Sequence, residues 1–404
     1  MSLRTVGIVY KKELTEALRD RRTLISTIVV PLLAFPVMTI GFGGAMFSLM
    51  NKAEKEVPKV IVLGGADSPR VVADLKKLEG LQLVDSSPNW KDRIVNKEVG
   101  VAVQIPDGFE ADLAQQKPDT IKIFKYQNEI KSEFAATNVE KVFKKYSDSI
   151  VKDRLAAKNL PTSVLSPFDI KQENVAAPEK VSGAAIGGFL GYIVILLCFQ
   201  GAMNPAIDLS AGEKERGTME TILSSPVSRM HLVLGKFFLV LTAAITTAAL
   251  AVTSMAVSFF VTQKLNTFGS ARGSNSGSFQ LHVTGGAIFS IFLMALPLAV
   301  MFSAGLLTIA LFAKSHKEAQ SYIAPLVFVV IIPAVAAMLP GVELTPKLAL
   351  VPILNVSLLL KDLIAGTYHW NSIAIIFLST CAYAAVALFL AVKMFQRESV
   401  LFRS

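Results

Sequence analysis

Apolar positions along this chain fall into two regimes. In residues 23–49, 181–207, 232–261, 285–312, 320–339 and 372–392 they follow one another almost without charge. About 20 such residues cross a bilayer as a helix, so the pattern predicts six transmembrane helices. Residues 51–180 behave differently. Short apolar alternations at 57–63, 81–84, 99–105 and 120–126 predict strands, and stretches 68–78, 90–96, 108–115 and 130–157 predict helices. Strands interleaved with helices predict a sheet covered by helices. The predicted fold is a mainly α membrane protein with a large extracytoplasmic α/β domain inserted between helices 1 and 2. The chain then divides into 1–50 (an interfacial helix and span 1), 51–180 (the α/β domain) and 181–404 (spans 2–6 with a polar segment at 208–236).

Ahead of span 1, residues 3–22 place Leu3, Val6, Val9, Tyr10, Leu14, Ala17 and Leu18 on one helical stripe, with Glu13 as the exception. Such a helix is expected to lie along the lipid surface. Span 1 carries Pro31 and Pro36, tolerable where neighbouring helices satisfy the carbonyls that proline frees. Gly183, Gly187, Gly188 and Gly191 give span 2 a small-residue spacing that suits close helix packing. Residues 348–360 are apolar but interrupted by Pro352 and Asn355, and read as re-entrant or interfacial. Whether 344–368 re-enters or crosses stays open at this level.

Composition agrees with the membrane reading: 52% of the 404 residues are hydrophobic and mean hydropathy is +0.51. The formal charge is +9, yet residues 51–180 hold 21 Lys and Arg against 20 Asp and Glu, so the excess lies beside the spans. That is the positive-inside pattern, not a nucleic-acid surface. The N-terminus, segment 208–236, Lys314–Lys317 and the tail with Lys393, Arg397 and Arg403 share one side, so both termini are expected in the cytoplasm. The N-terminal run carries too many charges, and no small-residue cleavage site, to read as a cleaved signal. Cys198 and Cys381 both sit in apolar runs and read as small buried residues. No Walker A loop, HExxH, CxxC or GxSxG is present, so neither ATP binding nor hydrolase chemistry is expected of this chain. No cofactor or metal site is expected in it either.

Segment 208–236 carries the strongest signal. Residues 213–224 read as a short helix, with Glu213, Arg216 and Glu220 on one polar stripe beside Met219, Ile222 and Leu223. Ser225 and Pro226 read as N-cap and first position of the next helix, with Arg229 and Lys236 near its start. The segment suits docking to a soluble partner; an ordinary solvated loop is the alternative.

Gly212-Glu213-Lys214-Glu215-Arg216-Gly217-Thr218-Met219-Glu220, then Ser225-Pro226-Val227-Ser228-Arg229 and Gly235-Lys236, resemble the signature of ABC-2 type transporter permeases, closest to the sodium-efflux (NatB-like) group. Lys11-Lys12-Glu13-Leu14 and Arg19-Asp20-Arg21-Arg22-Thr23 resemble that family's approach to its first membrane helix. The resemblance covers the whole chain in layout and is sharp in these two stretches. It implies a coupling helix seated on a separate ATP-binding subunit that holds MgATP. Glu213, Glu215, Arg216, Gly217, Thr218, Glu220, Pro226 and Arg229 are then the coupling residues. It also implies a second permease copy or a related permease, a bacterial or archaeal plasma membrane, and export.

Polar groups in the spans are few. Gln200, Asn204 and Asn355 lie within or near them, and Asp208 and Asp362 at their edges; together they are the candidate polar substrate path. For Gln200 and Asn204, interhelical hydrogen bonding is the favoured reading. So few acids fit a hydrophobic or amphiphilic cargo at least as well as sodium. A membrane receptor or scaffold whose outer domain binds a ligand is the rival class.

Overall fold

The computed structural model describes residues 3–42, 44, 48, 59–69, 71–72, 82–127, 129–161, 178–218, 227–264, 284–339 and 341–395. It separates into two compact units, residues 1–44 with 174–404 and residues 45–173.

In the first unit, helix α1 (Leu3–Ala17) is shorter than the amphipathic stretch suggested. It stops because Asp20 starts a new helix. The Asp20 carboxylate accepts hydrogen bonds from the N–H groups of Arg22 and Thr23, each at 3.1 Å, and from Thr23 Oγ1 at 2.6 Å. That cap opens α2 (Arg21–Gly41), a span with π-helical turns at Ile25–Val29 and Val37–Phe42.

The second unit holds a four-stranded sheet. Its elements are β1 (Lys59–Gly64), β2 (Gln82–Val84), α3 (Trp90–Val95), β3 (Val101–Ile105), α4 (Phe109–Ala114), β4 (Lys122–Lys125) and α5 (Ile130–Ala157). Strand order is β2-β1-β3-β4, with β1 parallel to both neighbours and β4 antiparallel to β3. Period-2 alternation sends Val60, Val101, Val103 and Ile105 into a core with Phe109, Ala135 and Val139. Ile61 and Ala102 face the other way, onto Ile94 and Trp90. Both faces are thus covered by helices, as the sequence predicted, although β3 and β4 are two and three residues shorter than the alternation suggested. Of the helix expected at 68–78, only Ser68, Pro69, Val71 and Val72 are among the described residues.

The chain returns to the first unit in α6 (Pro178–Ile207) and continues through α7 (Arg229–Lys264), α8 (Gly285–Leu311), α9 (His316–Ala336), α10 (Leu354–Ile364) and α11 (Trp370–Phe395). Among the described residues six helices, α2, α6, α7, α8, α9 and α11, are long and apolar enough to cross a membrane. They build one apolar core centred on Phe199, Ile195, Met255, Leu298 and Leu306.

Two sequence expectations gain a mechanism here. Pro31 and Pro36 leave the carbonyls four residues earlier, those of Thr27 and Leu32, without their helical donors. Span α7 reaches both: Ser254 Oγ donates to the Leu32 carbonyl at 2.7 Å, and Thr247 Oγ1 lies 3.2 Å from the Thr27 carbonyl, its one proton shared with the Ala243 carbonyl of its own helix at 2.8 Å. The glycines of α6 make room for α10. A Cβ at Gly187 would lie 2.9 Å from the Lys361 carbonyl oxygen, and one at Gly191 would lie 3.0 Å from Leu360 Cβ.

The open question about residues 344–368 closes on length and burial. Helix α10 has 11 residues, too few for a crossing, and nine of them are buried. It is neither a span nor an interfacial helix but a short helix packed inside the bundle. Its start is sharp, with Ile353 at φ 71°, a region that a β-branched residue enters only under strain.

Candidate functional site

The site forms where α6 leaves the bundle. The helix does not end at Ile207 but runs through a π-helical turn, Asp208–Gly212, into Glu213–Glu215. Gly217, at φ 70°, then stops it, its N–H donating to the Lys214 carbonyl at 3.0 Å. The first turn of the 213–224 helix of the sequence reading therefore belongs to span α6, and residues 219–224 lie outside the described residues. Met219, Glu220 and Pro226 lie outside the described residues. The next helix also starts later than Ser225-Pro226 suggested. Ser228 closes its first turn, taking the N–H groups of His231 and Leu232 on its carbonyl and pairing its Oγ with His231 Nδ1 at 2.6 Å. Helix α7 accordingly begins at Arg229.

The largest departure concerns Glu213. The expected stripe put it on an aqueous face with Arg216. Instead its carboxylate is buried against the Lys236 ammonium, which is buried too. Lys236 also donates to the Leu209 carbonyl at 2.8 Å, so one lysine on α7 holds both the side chain and the backbone of the α6 extension. Low polarity around such a pair makes breaking it costly.

Neighbouring residues tie the extension to two further spans. Lys214 Nζ donates to the Leu311 carbonyl at the end of α8. Glu215 Oε2 accepts from the His316 N–H at 2.7 Å, at the start of α9. Its charge there complements the positive end of the α9 dipole. Ser315 caps α9 beside it, its Oγ taking the Glu318 N–H at 3.2 Å, and Glu318 Oε2 reaches back to the Lys314 N–H at 2.7 Å. Asp208 faces His316, 3.5 Å from its Nδ1. Glu215, Arg216, Gly217, Thr218 and Arg229 remain exposed.

Helix α1 packs on the same corner. Val9 and Tyr10 lie against Gly235, where an added Cβ would fall 2.5 Å from Val9 Cγ1, and Tyr10 Oη sits 3.1 Å from Thr242 Oγ1. Val6, Val9 and Glu13 are buried there. The middle of the stripe read as lipid-facing, Val9 and Tyr10, thus covers α7, and Glu13, its exception, is buried with it, while Leu18 at its end stays exposed.

The candidate path residues separate. Gln200, Asn204 and Asp208 lie at successive i, i+4 positions of α6, all half-buried. Gln200 and Asn204 make no side-chain hydrogen bond among the described residues, against the expected interhelical bonding. Asn355 is wholly buried and fastens α10: its Nδ2 reaches the Ala349 carbonyl at 3.1 Å and Ser379 Oγ at 3.2 Å, and its Oδ1 accepts from the Val356 N–H at 2.8 Å. Asp362 is half-buried at the other end of the bundle, where burial raises its carboxyl above the ordinary range against the pull of His369 and Lys361. Among the described residues no group of three or more acids, histidines or cysteines is placed to hold a metal ion.

A model of the ABC-2 family transporter proteins matches residues 21–393. The chain belongs to this family. The ABC transporter permease protein NatB of Bacillus subtilis (strain 168) is 27% identical to it over 361 residues, 89% of each chain. For an ABC-2 family permease, the resemblance carried by Gly212–Glu220 was a sound guide. What the sequence did not reveal was Lys236 as the partner of Glu213, 23 residues away, because that pairing exists only once α6 and α7 are packed. The signal was present in Gly235-Lys236, a small residue beside a lysine inside an apolar run.

Proposed function

We propose that this chain is the membrane subunit of an exporter driven by a separate ATP-binding subunit, which holds MgATP and docks on the turn Glu215–Thr218 and on Arg229. One observation carries the reading. The exposed turn is braced through Glu213 and Lys236 to α7, through Lys214 to α8, and through Glu215 to α9. A partner that displaces the turn therefore loads three spans together. The charge asymmetry supports cytoplasmic termini and an outer position for residues 51–180. Two permease chains would flank a path on which Gln200, Asn204 and Asp208 offer half-buried, hydrogen-bonding groups. Sodium is the cargo suggested by the resemblance; an amphiphile fits the scarcity of acids.

The test is Arg216→Glu. Its side chain is exposed, and surface changes of this kind usually move stability by no more than about 0.5 kcal/mol. The variant is expected to insert normally, to lose its ATP-binding subunit on co-purification and to export nothing. Retention of the subunit with undiminished transport would overturn the reading. Vesicle assays comparing sodium with amphiphilic dyes, with Asn204→Ala as the path variant, then assign the cargo.

A further inference from the structure

Helix α1 has a second face. Arg4, Ile8, Lys11, Thr15 and Leu18 recur every three or four residues and so share one stripe of the helix. Leu18 belongs to it because its N–H still donates to the Leu14 carbonyl, at 3.0 Å. The stripe lies opposite Val6, Val9 and Glu13, which are buried on the α7 side. All five of its residues are exposed, Ile8 at 63% and Leu18 at 56%. Large apolar side chains interleaved with bases on an exposed helix face suit a helix lying in a bilayer interface.

The chain then runs straight into a span. Arg19, Arg21 and Arg22 are exposed around the Asp20 cap, and α2 next turns Ile25, Val29, Leu32 and Leu33 outward. Arg21 and Ile25 are one helical turn apart, so a base stands directly ahead of the first exposed apolar side chain of the span. Nearby acids are already engaged. Glu13 and Glu16 lie against Lys12, and Asp20 caps α2. Among the described residues Arg4, Lys11, Arg19, Arg21 and Arg22 make no ion pair and no side-chain hydrogen bond. Lys214 and Lys236, also near α1, are by contrast consumed by the Leu311 carbonyl and by Glu213 with the Leu209 carbonyl.

We infer that the outer face of α1 and the start of α2 bind anionic phospholipids, with headgroups on Arg4, Lys11, Arg19 and Arg21 and acyl chains against Leu18 and Ile25. The bases select the sign of the headgroup. The exposed apolar side chains select a lipid over a free phosphate ester. An acidic soluble protein would match the charge, but Ile25 and Val29 belong to a membrane span and face acyl chains. Because Val9 is keyed against Gly235, lipid held on α1 would also fix the start of α7 at the bilayer surface. Lipid binding needs no ATP-binding subunit and so goes beyond the proposed function.

The full chain in neutral-detergent micelles, with no ATP-binding subunit present, is titrated with phosphatidylglycerol, phosphatidylcholine or glycerol phosphate, and bound lipid is counted by native mass spectrometry. Wild type is expected to bind phosphatidylglycerol saturably and in preference to the other two. A base beside an anionic surface is worth about fivefold in affinity. Lys11→Gln with Arg19→Gln should therefore bind roughly 25-fold more weakly. Lys317→Gln with Lys393→Gln removes the same charge from exposed positions on α9 and α11 and should bind as wild type does. Equal binding of phosphatidylglycerol and phosphatidylcholine would overturn the inference. So would equal loss in the two double variants, which would mean net charge alone, or glycerol phosphate binding as tightly as the lipid. If the α1 double variant fails to insert, Lys11→Gln alone should lose about fivefold, and no loss overturns the site.

Discussion

The pair most informative about single residues is Glu213–Lys236. Lys236→Met would leave Glu213 ionised in the core with no ammonium, a change that typically costs about 3–5 kcal/mol. A large drop in the thermal midpoint of the detergent-solubilised protein is expected. Adding Glu213→Met should restore most of it, since an apolar pair has no unmet charge. If the double variant is no better than the single one, the pair is not the cause. Asp20 offers a second, smaller test. Its hydrogen bonds from Thr23, and from the N–H groups of Arg22 and Thr23, hold its carboxyl below the usual range. A depressed carboxylate contributes stability above its unfolded pKa and loses it as pH falls through the folded one. Asp20→Ala should therefore cost about 1 kcal/mol at neutral pH, a gap that closes in strong acid. Thermal melts across that range check the sign. At this scale the sequence was a partial guide. The sequence reading ran one helix through Asp20 and missed its cap, although the partners are only two and three residues on, whereas Glu213 depends on a residue from another span.

Elements were more legible than their ends. Hydropathy located all six spans because lipid imposes one rule on every residue of a crossing. It misplaced the start of α7 and the stop of α6, where one serine and one left-handed glycine decide. It also left α10 undefined, since burial by neighbouring helices looks like burial by lipid in composition. The glycines facing α10 give an element-scale test. Gly187→Val would drive a branched side chain into the Lys361 backbone, and overpacking of this kind costs about 1–3 kcal/mol. Gly285→Val, whose Cβ would meet nothing within 4 Å, is the control. Equal loss of folded yield in both would show that α6 does not need its small face. The prolines of α2 give another. Thr247→Val removes the hydroxyl that the Thr27 and Ala243 carbonyls share, and interhelical bonds in membranes average about 0.6 kcal/mol. In a Pro31→Ala background the helix regains its own N–H, so the Thr247→Val cost should shrink in a double-mutant cycle. An unchanged cost would mean that the hydroxyl does not serve the proline.

For the molecule as a whole, two compact units in one chain predict that residues 45–173 fold when expressed alone, within the ordinary size of a domain. A random-coil circular dichroism spectrum would count against this. Topology is tested in a background lacking Cys198 and Cys381, with single cysteines at Ser86 and Thr218. An impermeant thiol reagent added outside intact cells is expected to label Ser86→Cys and spare Thr218→Cys; the reverse pattern would invert the arrangement. The succession of apolar helices was legible because hydropathy is a property of segments, while the joints between segments are made by individual side chains.

The two hydroxyl bonds from α7 to the proline-freed carbonyls of α2 carry a mechanical consequence. They act at two heights on one helix, about five residues or roughly 7.5 Å apart along the axis. Two such pins fix both the slide and the roll of α2 against α7. Helix α1 is keyed to the same span through Val9 and Gly235. These three helices are therefore expected to move together, which places the sliding surfaces on other faces of the bundle. A disulfide engineered between α2 and α7 should accordingly leave transport unimpaired.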